Sequence, residues 1–276
     1  MKAVAFDYLC PTSAAEAVQL LHASEGMGKI VSGSQSLGPM MNLRLVQPEQ
    51  LIDVRRLAEL RGAVEEAASI VLGAATTHAN IEDGIVADPS QGLMPYVARG
   101  IAYRAVRNRG TLGGSLAHAD PAADWVNVMA LLDAEIVLLG PDGERNVKAA
   151  AFTLGAFTTD LAEDEIIRAV RIPRLSAGAR WSYYKFNRKT GEFAEAIAAF
   201  VDDPLRGVRR AIIGAVDGAP LVIEDAGPLI DAWDDALADP WLLAAGIEPD
   251  TYEYQIHRVA LQRAAEQLSC PRGVSS

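Results

Sequence analysis

Two rhythms of apolar and polar positions run along this chain, and the switches between them mark out its elements. Ser13-Ala14-Ala15-Glu16 sets a hydroxyl three residues ahead of a carboxylate, just before Val18, Leu20 and Leu21. That spacing caps a helix start, so a helix is expected to about Ser24, with Gly26 and Gly28 ending it. Short apolar runs between turn residues predict strands at 2–9, 29–31, 51–54, 70–74, 135–139 and 166–172, the fifth closed by the turn Pro141-Asp142-Gly143. A helical turn is expected at 40–44 and a helix at 93–102. Pro121 is placed in the first turn of a buried helix carried by Trp125, Val128, Met129, Leu131 and Leu132. The composition shifts near 175–179. Beyond it come strand-like runs at 182–186, 194–201 and 208–215, then two helical segments. The last spans 252–268, with Val259, Leu261, Ala264 and Leu268 as its apolar positions, and the tail 271–276 is expected to be loose. The whole reads as α+β.

Between these elements lie two stretches rich in glycine and hydroxyls. One is Ser32-Gly33-Ser34-Gln35-Ser36-Leu37-Gly38-Pro39, directly after a short strand. The other is RNRGTLGGSLAHADPAAD at 107–124, in which Thr111 and Ser115 flank Leu112, Gly113 and Gly114. Glycines let backbone N–H groups approach a ligand closely and the hydroxyls add donors, the chemistry of a pyrophosphate cradle. A glycine-rich turn that binds nothing is the plain alternative. Neither stretch fits the common nucleotide fingerprints, since there is no G-x-G-x-x-G after a strand and no complete P-loop. Ser36 and Ser115 both miss the G-x-S-x-G nucleophile elbow, which argues against a serine hydrolase. His22, His78, His118 and His257 lack metal-ligand spacing and default to surface or packing roles.

Composition narrows the classes. The chain has 276 residues, half of them hydrophobic, enough for a sizeable core in two or three units. A formal charge of -11 argues against nucleic acid or an anionic membrane surface as partner. No segment has the length of a transmembrane helix and the start lacks the apolar core of a signal peptide, so a cytoplasmic location without membrane insertion is expected. The two cysteines, Cys10 and Cys270, suggest neither a disulfide framework nor a zinc site, and they exclude a four-cysteine iron–sulfur cluster within this chain.

In order, VSGSQSLGPMMNLRLVQPEQLIDV, GAATTH and RNRGTLGGSLAHADPAADW resemble the FAD-binding medium subunit of the molybdenum hydroxylases. That family includes the flavoprotein subunits of carbon monoxide dehydrogenase and of xanthine-dehydrogenase-like enzymes. YYKFNRKTGEFAEAIAAF and YEYQIHRVALQRA resemble its carboxy-terminal domain, so the likeness spans essentially the whole chain. It implies a vanillyl-alcohol-oxidase (PCMH) type FAD-binding domain at 1–175, made of two α/β subdomains at about 1–55 and 56–175. A smaller α+β carboxy-terminal domain would follow at 176–276. The resemblance places Ser32, Gly33, Ser34, Gln35 and Ser36, with Thr111, Leu112, Gly113, Gly114 and Ser115, on the cofactor's pyrophosphate and ribityl. It makes Asp124 a cofactor-binding carboxylate and puts Lys185 and Phe193 near the isoalloxazine, which a cation tunes and a ring covers. The plain alternatives are a helix-turn carboxylate for Asp124, a solvated strand residue for Lys185 and a core residue for Phe193. Relatives usually carry two consecutive glycines where Gly33-Ser34 stands, and a histidine or threonine where Gln35 stands.

Non-covalent FAD is therefore the expected cofactor, with [2Fe-2S] clusters in a small partner subunit and molybdopterin in a large one, as a dimer of heterotrimers. The resemblance implies electrons passing from the molybdenum subunit through two [2Fe-2S] clusters to FAD here, then to NAD, a quinone, oxygen or a carrier protein. Two other readings compete. A stand-alone FAD-dependent oxidase would bleach its own flavin with a small organic substrate, and a non-redox FAD-binding assembly module would have lost electron transfer.

Overall fold

The computed structural model describes residues 2–269; the expected loose tail at 271–276 and Cys270 lie outside them. In chain order the elements are β1 (Asp7–Leu9), α1 (Ala14–Ala23), β2 (Gly28–Val31), α2 (Leu37–Asn42) and β3 (Gln50–Asp53). Next come β4 (Ala63–Glu65), β5 (Ser69–Gly73), α3 (His78–Glu82), α4 (Leu93–Arg99), α5 (Arg104–Arg107), α6 (Leu112–His118) and α7 (Asp124–Leu131). Then follow β6 (Glu135–Gly140), β7 (Gly143–Lys148), α8 (Ala149–Phe152), β8 (Thr153–Gly155), β9 (Thr158–Thr159) and β10 (Ile166–Pro173). The last group is β11 (Arg180–Phe186), β12 (Ala196–Asp203), β13 (Val208–Gly214), β14 (Leu221–Ile223), α9 (Gly227–Asp231), α10 (Asp235–Ala244) and α11 (Tyr252–Ser269).

Three principal sheets organise them. The first, β1-β3-β2, is parallel; α1 crosses over between its outer strands and buries Ala14, Ala17, Val18 and Leu21, one face at helical spacing. The Ser13 hydroxyl caps α1 by accepting from the Glu16 amide, while the Glu16 carboxylate accepts from Thr12 rather than closing back on Ser13. The second sheet is antiparallel, β4-β5-β10-β6-β7, and β6 turns into β7 at the expected Pro-Asp-Gly turn. The third, β11-β12-β13-β14, is an antiparallel meander.

Every residue of β12 is buried, because its sheet is covered on both faces. Ile197, Ala199 and Val201 join the core built on α4, α6, α7 and the second sheet. Ala196, Ala198 and Phe200, pointing the other way, pack under α9, α10 and α11. One core therefore runs without a break from the second sheet into the third.

Three expectations change. Pro121 lies before α7, whose first residue is Asp124 and whose N-cap is Ala123; the Pro121 carbonyl accepts from the Asn127 side chain and the Ala215 amide. Three helices, not two, follow β13, and β14 comes between. Val259 sits on the exposed face of α11, because it stands about 200° round the helix from both His257 and Leu261, which are buried. Truncating Phe200 to Ala is expected to cost about 3–5 kcal/mol in urea unfolding, whereas Val259→Ala should stay within about 0.5 kcal/mol. Equal costs would show that the two-sided packing of the third sheet is wrong.

Candidate functional site

A cleft of about 610 Å³ opens where the three sheets meet, in the range of small-molecule and cofactor sites. Its walls include the first loop (Ser32 to Ser36), Thr111, Gly113, Gly114 and Ser115 of the second, and Asp124, Lys185 and Phe193. Residues that neither glycine motif singled out also line it, including His78, His118, Leu161, Ala162 and Glu163. One end is apolar, formed by Leu21, Ile30, Val54, Leu60, Ala75 and Ile166 between the first and second sheets.

Backbone contact joins the two loops. A Cβ on Gly33 would overlap the carbonyl oxygen of Arg109, and one on Gly110 would stand 2.6 Å from His78 Nε2. At Gly113 it would meet the Ala74 Cβ at 2.6 Å and the Ala74 carbonyl oxygen at 2.9 Å. The Thr111 hydroxyl donates to Ser32 Oγ at 3.2 Å across the same seam. Thr77 and Thr111 form an isolated antiparallel bridge, with the His78 amide donating to the Gly110 carbonyl and the Leu112 amide to the Thr76 carbonyl.

The second stretch is not an open turn. It begins α6, capped by Thr111, whose hydroxyl accepts from the Gly114 amide at 3.1 Å. The Gly113 amide donates to Ala74 and the Ser115 amide to Thr111. In this arrangement these backbone donors are bonded within the protein, the Gly113 amide to Ala74 and the Gly114 amide to the Thr111 hydroxyl. Leu112, expected on the cofactor with its neighbours, turns its side chain into the main core. What this wall offers the cleft is the surface of Gly113 and Gly114 and the Thr111 and Ser115 side chains.

The first loop is the reverse case. The amides of Gly33, Ser34, Gln35 and Ser36 donate to no acceptor among the described residues. A run of backbone N–H groups in irregular conformation makes an anion-binding concavity. Ser34 takes φ +59°, the left-handed conformation that two glycines would adopt at low cost. The serine follows the path a glycine would, at the expense of local strain. The Gln35 side chain folds back, its Nε2 donating to the Gly33 carbonyl at 3.1 Å. The residues present therefore suit a ligand with a pyrophosphate linkage between two flat, partly apolar ends.

At the far end of the cleft, β11 brings Tyr183 and Lys185 over the start of α7. Lys185 Nζ donates to both oxygens of Asp124 at 3.0 Å and to the Gly100 carbonyl at 3.1 Å, and the Tyr183 hydroxyl donates to Asp124 Oδ1 at 2.6 Å. Asp124 is buried and opens α7, where the helix dipole favours a carboxylate. Burial, with the Asp124 charge beside it, pushes the Tyr183 phenol well above its usual value, so it stays a neutral donor. Lys185 is thus a half-buried partner of the buried Asp124 carboxylate rather than a solvated strand residue. Phe193 is 68% exposed on the cleft rim, not in the core.

From its sequence alone His78 defaults to a surface or packing role. Its ring is buried, and Nδ1 accepts from Trp125 Nε1 at 2.9 Å. Burial, helped by the Arg107 charge, lowers its pKa from 6.5 to about 4. An unfolded chain therefore takes up a proton between these values that the folded chain refuses. Stability from this group should be complete above pH 6.5 and fall toward pH 4, by about 3 kcal/mol at most. Urea unfolding across that window should show a slope that a His78→Gln variant lacks. The glycines generate a separate expectation. Gly113→Ala should lower apo stability by about 1–3 kcal/mol through overpacking against Ala74. A Cβ at Gly114 meets only the Thr111 hydroxyl, at 2.8 Å. Gly114→Ala must therefore displace the hydroxyl that caps α6. It should lower stability by no more than the loss of one cap, about 0.5–2 kcal/mol, while weakening FAD binding in a fluorescence titration. A Gly113→Ala chain as stable as wild type would overturn this account of the seam.

Comparison with known proteins agrees with this geometry. Residues 4–175 match the family model described as FAD binding domain in molybdopterin dehydrogenase. The carbon monoxide dehydrogenase medium chain of Hydrogenophaga pseudoflava is 41% identical over 196 residues, covering 71% of this chain and 68% of that one. The medium chain from Afipia carboxidovorans is 35% identical over 280 residues, covering 95% and 96%. A solved structure of the Hydrogenophaga pseudoflava carbon monoxide dehydrogenase, in a form lacking the Mo-pyranopterin moiety, superposes with TM-score 0.87 at 34% identity, covering 98% of this chain and 99% of that one. The cleft between paired loops, with its unbonded amides, is thus set in a familiar frame: this chain belongs to the FAD-binding domains of the molybdopterin dehydrogenases.

Proposed function

We propose that this chain is the flavoprotein subunit of a molybdenum hydroxylase complex, relaying electrons from partner [2Fe-2S] clusters toward a final acceptor. The observation that carries the proposal is the run of unbonded amides at Gly33 to Ser36, in a cleft that Thr111 and Ser115 also line. When bound, FAD supplies a ring that exchanges electrons both singly and in pairs. The protein's part is to hold and shield it. The Gly33–Ser36 amides receive the pyrophosphate, the apolar end from Leu21 to Ile166 takes one flat ring, and Phe193 with the Asp124–Lys185 pair borders the other. In this proposal, 1–175 is the FAD-binding domain, with subdomains at about 1–55 and 56–175, and 176–276 the carboxy-terminal domain that closes the cleft.

The relatives are medium chains or FAD subunits of larger enzymes, including nicotine 6-hydroxylase and xanthine dehydrogenase, so this chain works as one subunit among several. With two cysteines in the whole sequence, the clusters belong to a small iron–sulfur partner, and the molybdopterin to a large one, in a dimer of heterotrimers. The described residues contain no helix long and apolar enough to cross a membrane and no cluster of metal-ligating side chains. The cytoplasm is the compartment we assign to the complex.

The FAD-loaded chain alone is expected to leave its flavin unbleached under anaerobic challenge with an aldehyde, a purine, an N-heterocycle or carbon monoxide. Adding the iron–sulfur and molybdopterin subunits should produce bleaching with one of these classes. Substrate-driven bleaching by the lone chain would replace the relay with a stand-alone oxidase.

A further inference from the structure

We infer that His78 is a binding residue of the cleft, its Nε2–H donating to a phosphate oxygen of FAD in a tautomer fixed by Trp125. The inference rests on the FAD reading above and deepens it. Indole nitrogen is a donor only, so the Trp125–His78 hydrogen bond of 2.9 Å requires Nδ1 to be the acceptor. In the neutral ring the proton then sits on Nε2. That nitrogen finds no acceptor among the described residues, although His78 is only 6% exposed and lines the cleft. Nε2 itself is not sealed in the interior but opens on the cleft, so its N–H is directed where a ligand oxygen can accept it.

The surroundings identify the oxygen. Nε2 lies against Gly110, where a Cβ would come within 2.6 Å of it, and Gly110 in turn abuts Gly33, where the unbonded amides begin. The nearest built anion site is therefore the first-loop concavity, and the matching FAD group is the pyrophosphate. Two further features keep the donor ready. A proton on Nδ1 would set two donors against each other at Trp125, and burial beside Arg107 opposes a charged ring. A neutral histidine here donates one directed hydrogen bond without adding a full charge, at a position close enough to the backbone that only glycine fits at 110.

Asparagine and glutamine separate the two ends of the ring. The His78→Asn side chain retains an acceptor near Nδ1 for Trp125 but has nothing at the Nε2 position. His78→Gln carries an N–H near Nε2 but offers Trp125 no acceptor in the same place. Titrating the apo full chain with FAD, and with ADP as a probe that has pyrophosphate but no flavin, should show about 10- to 100-fold weaker binding of both by His78→Asn. His78→Gln should recover most of that loss. In the wild type, nitrogen NMR should show the Nε2-protonated tautomer, with its Nε2–H resonance moving downfield on adding either probe. Failure of wild type to bind FAD would sink the FAD reading itself. Tight wild-type binding with an unmoved Nε2–H resonance, or with His78→Asn equal to wild type, would sink only this inference. A loss for FAD without a loss for ADP would overturn the phosphate assignment. Should His78→Asn fail to fold, the wild-type NMR titration decides alone.

Discussion

Everything in the cleft depends on one steric condition, the backbone-to-backbone approach of Gly33 to Arg109 and Gly110. Two loops far apart in sequence come closer here than any Cβ permits, and the same holds at Gly113 against Ala74 and Gly110 against His78. None of these three glycines has positive φ, so their value is the missing side chain rather than conformational freedom. The residue that does take the left-handed conformation is Ser34, which is not a glycine at all. Close approach and unusual φ are thus separate requirements, met by different residues of the two loops.

From that approach follows an unequal sharing of polar work. The second loop spends its amides on Ala74, Thr76 and its own helical turn, which makes it a rigid wall. The first-loop amides lie on a partly exposed segment without a protein acceptor, so the fold presents a donor set that an anion can complete. His78 belongs to the same economy, its one committed nitrogen holding the other in place.

Much of this was legible in the sequence, and the misses share a physical cause. The long apolar strand β10 was read nearly to the residue, because burial along it leaves an unmistakable pattern, whereas β12 was placed two residues early at both ends. β4, β8 and β9 are two or three residues long and largely exposed, so no periodicity could announce them. The second glycine stretch looked like a loop because glycine is a poor helix former, yet Thr111 caps it into α6 and packing on Ala74 overrides propensity. Asp124, Lys185 and Phe193 came to notice through a resemblance, since nothing local in the sequence links residues so far apart. His78 was visible within GAATTH, but its relation to Trp125 and Gly110 exists only once the second sheet and α7 pack together.

The Asp124–Lys185–Tyr183 cluster shows how the third sheet is tied to this site. Tyr183 and Lys185 are two residues apart on β11, hence on the same face, and both reach one carboxylate at the start of α7. A slip of one residue would turn both away, so the cluster fixes the strand's register over the cleft. Burying such a pair is a weak source of net stability, because desolvation offsets most of the attraction. Its geometry is more informative than its energy. An ammonium has three N–H donors, and Lys185 directs them at the two Asp124 oxygens and the Gly100 carbonyl. With those donors occupied and the Asp124 charge beside it, Lys185 in this arrangement presents the cleft with no free hydrogen bond. An arginine would keep the charge but replace a compact ammonium by a planar fork of donors, so the hydrogen-bond geometry of this three-point socket depends on lysine.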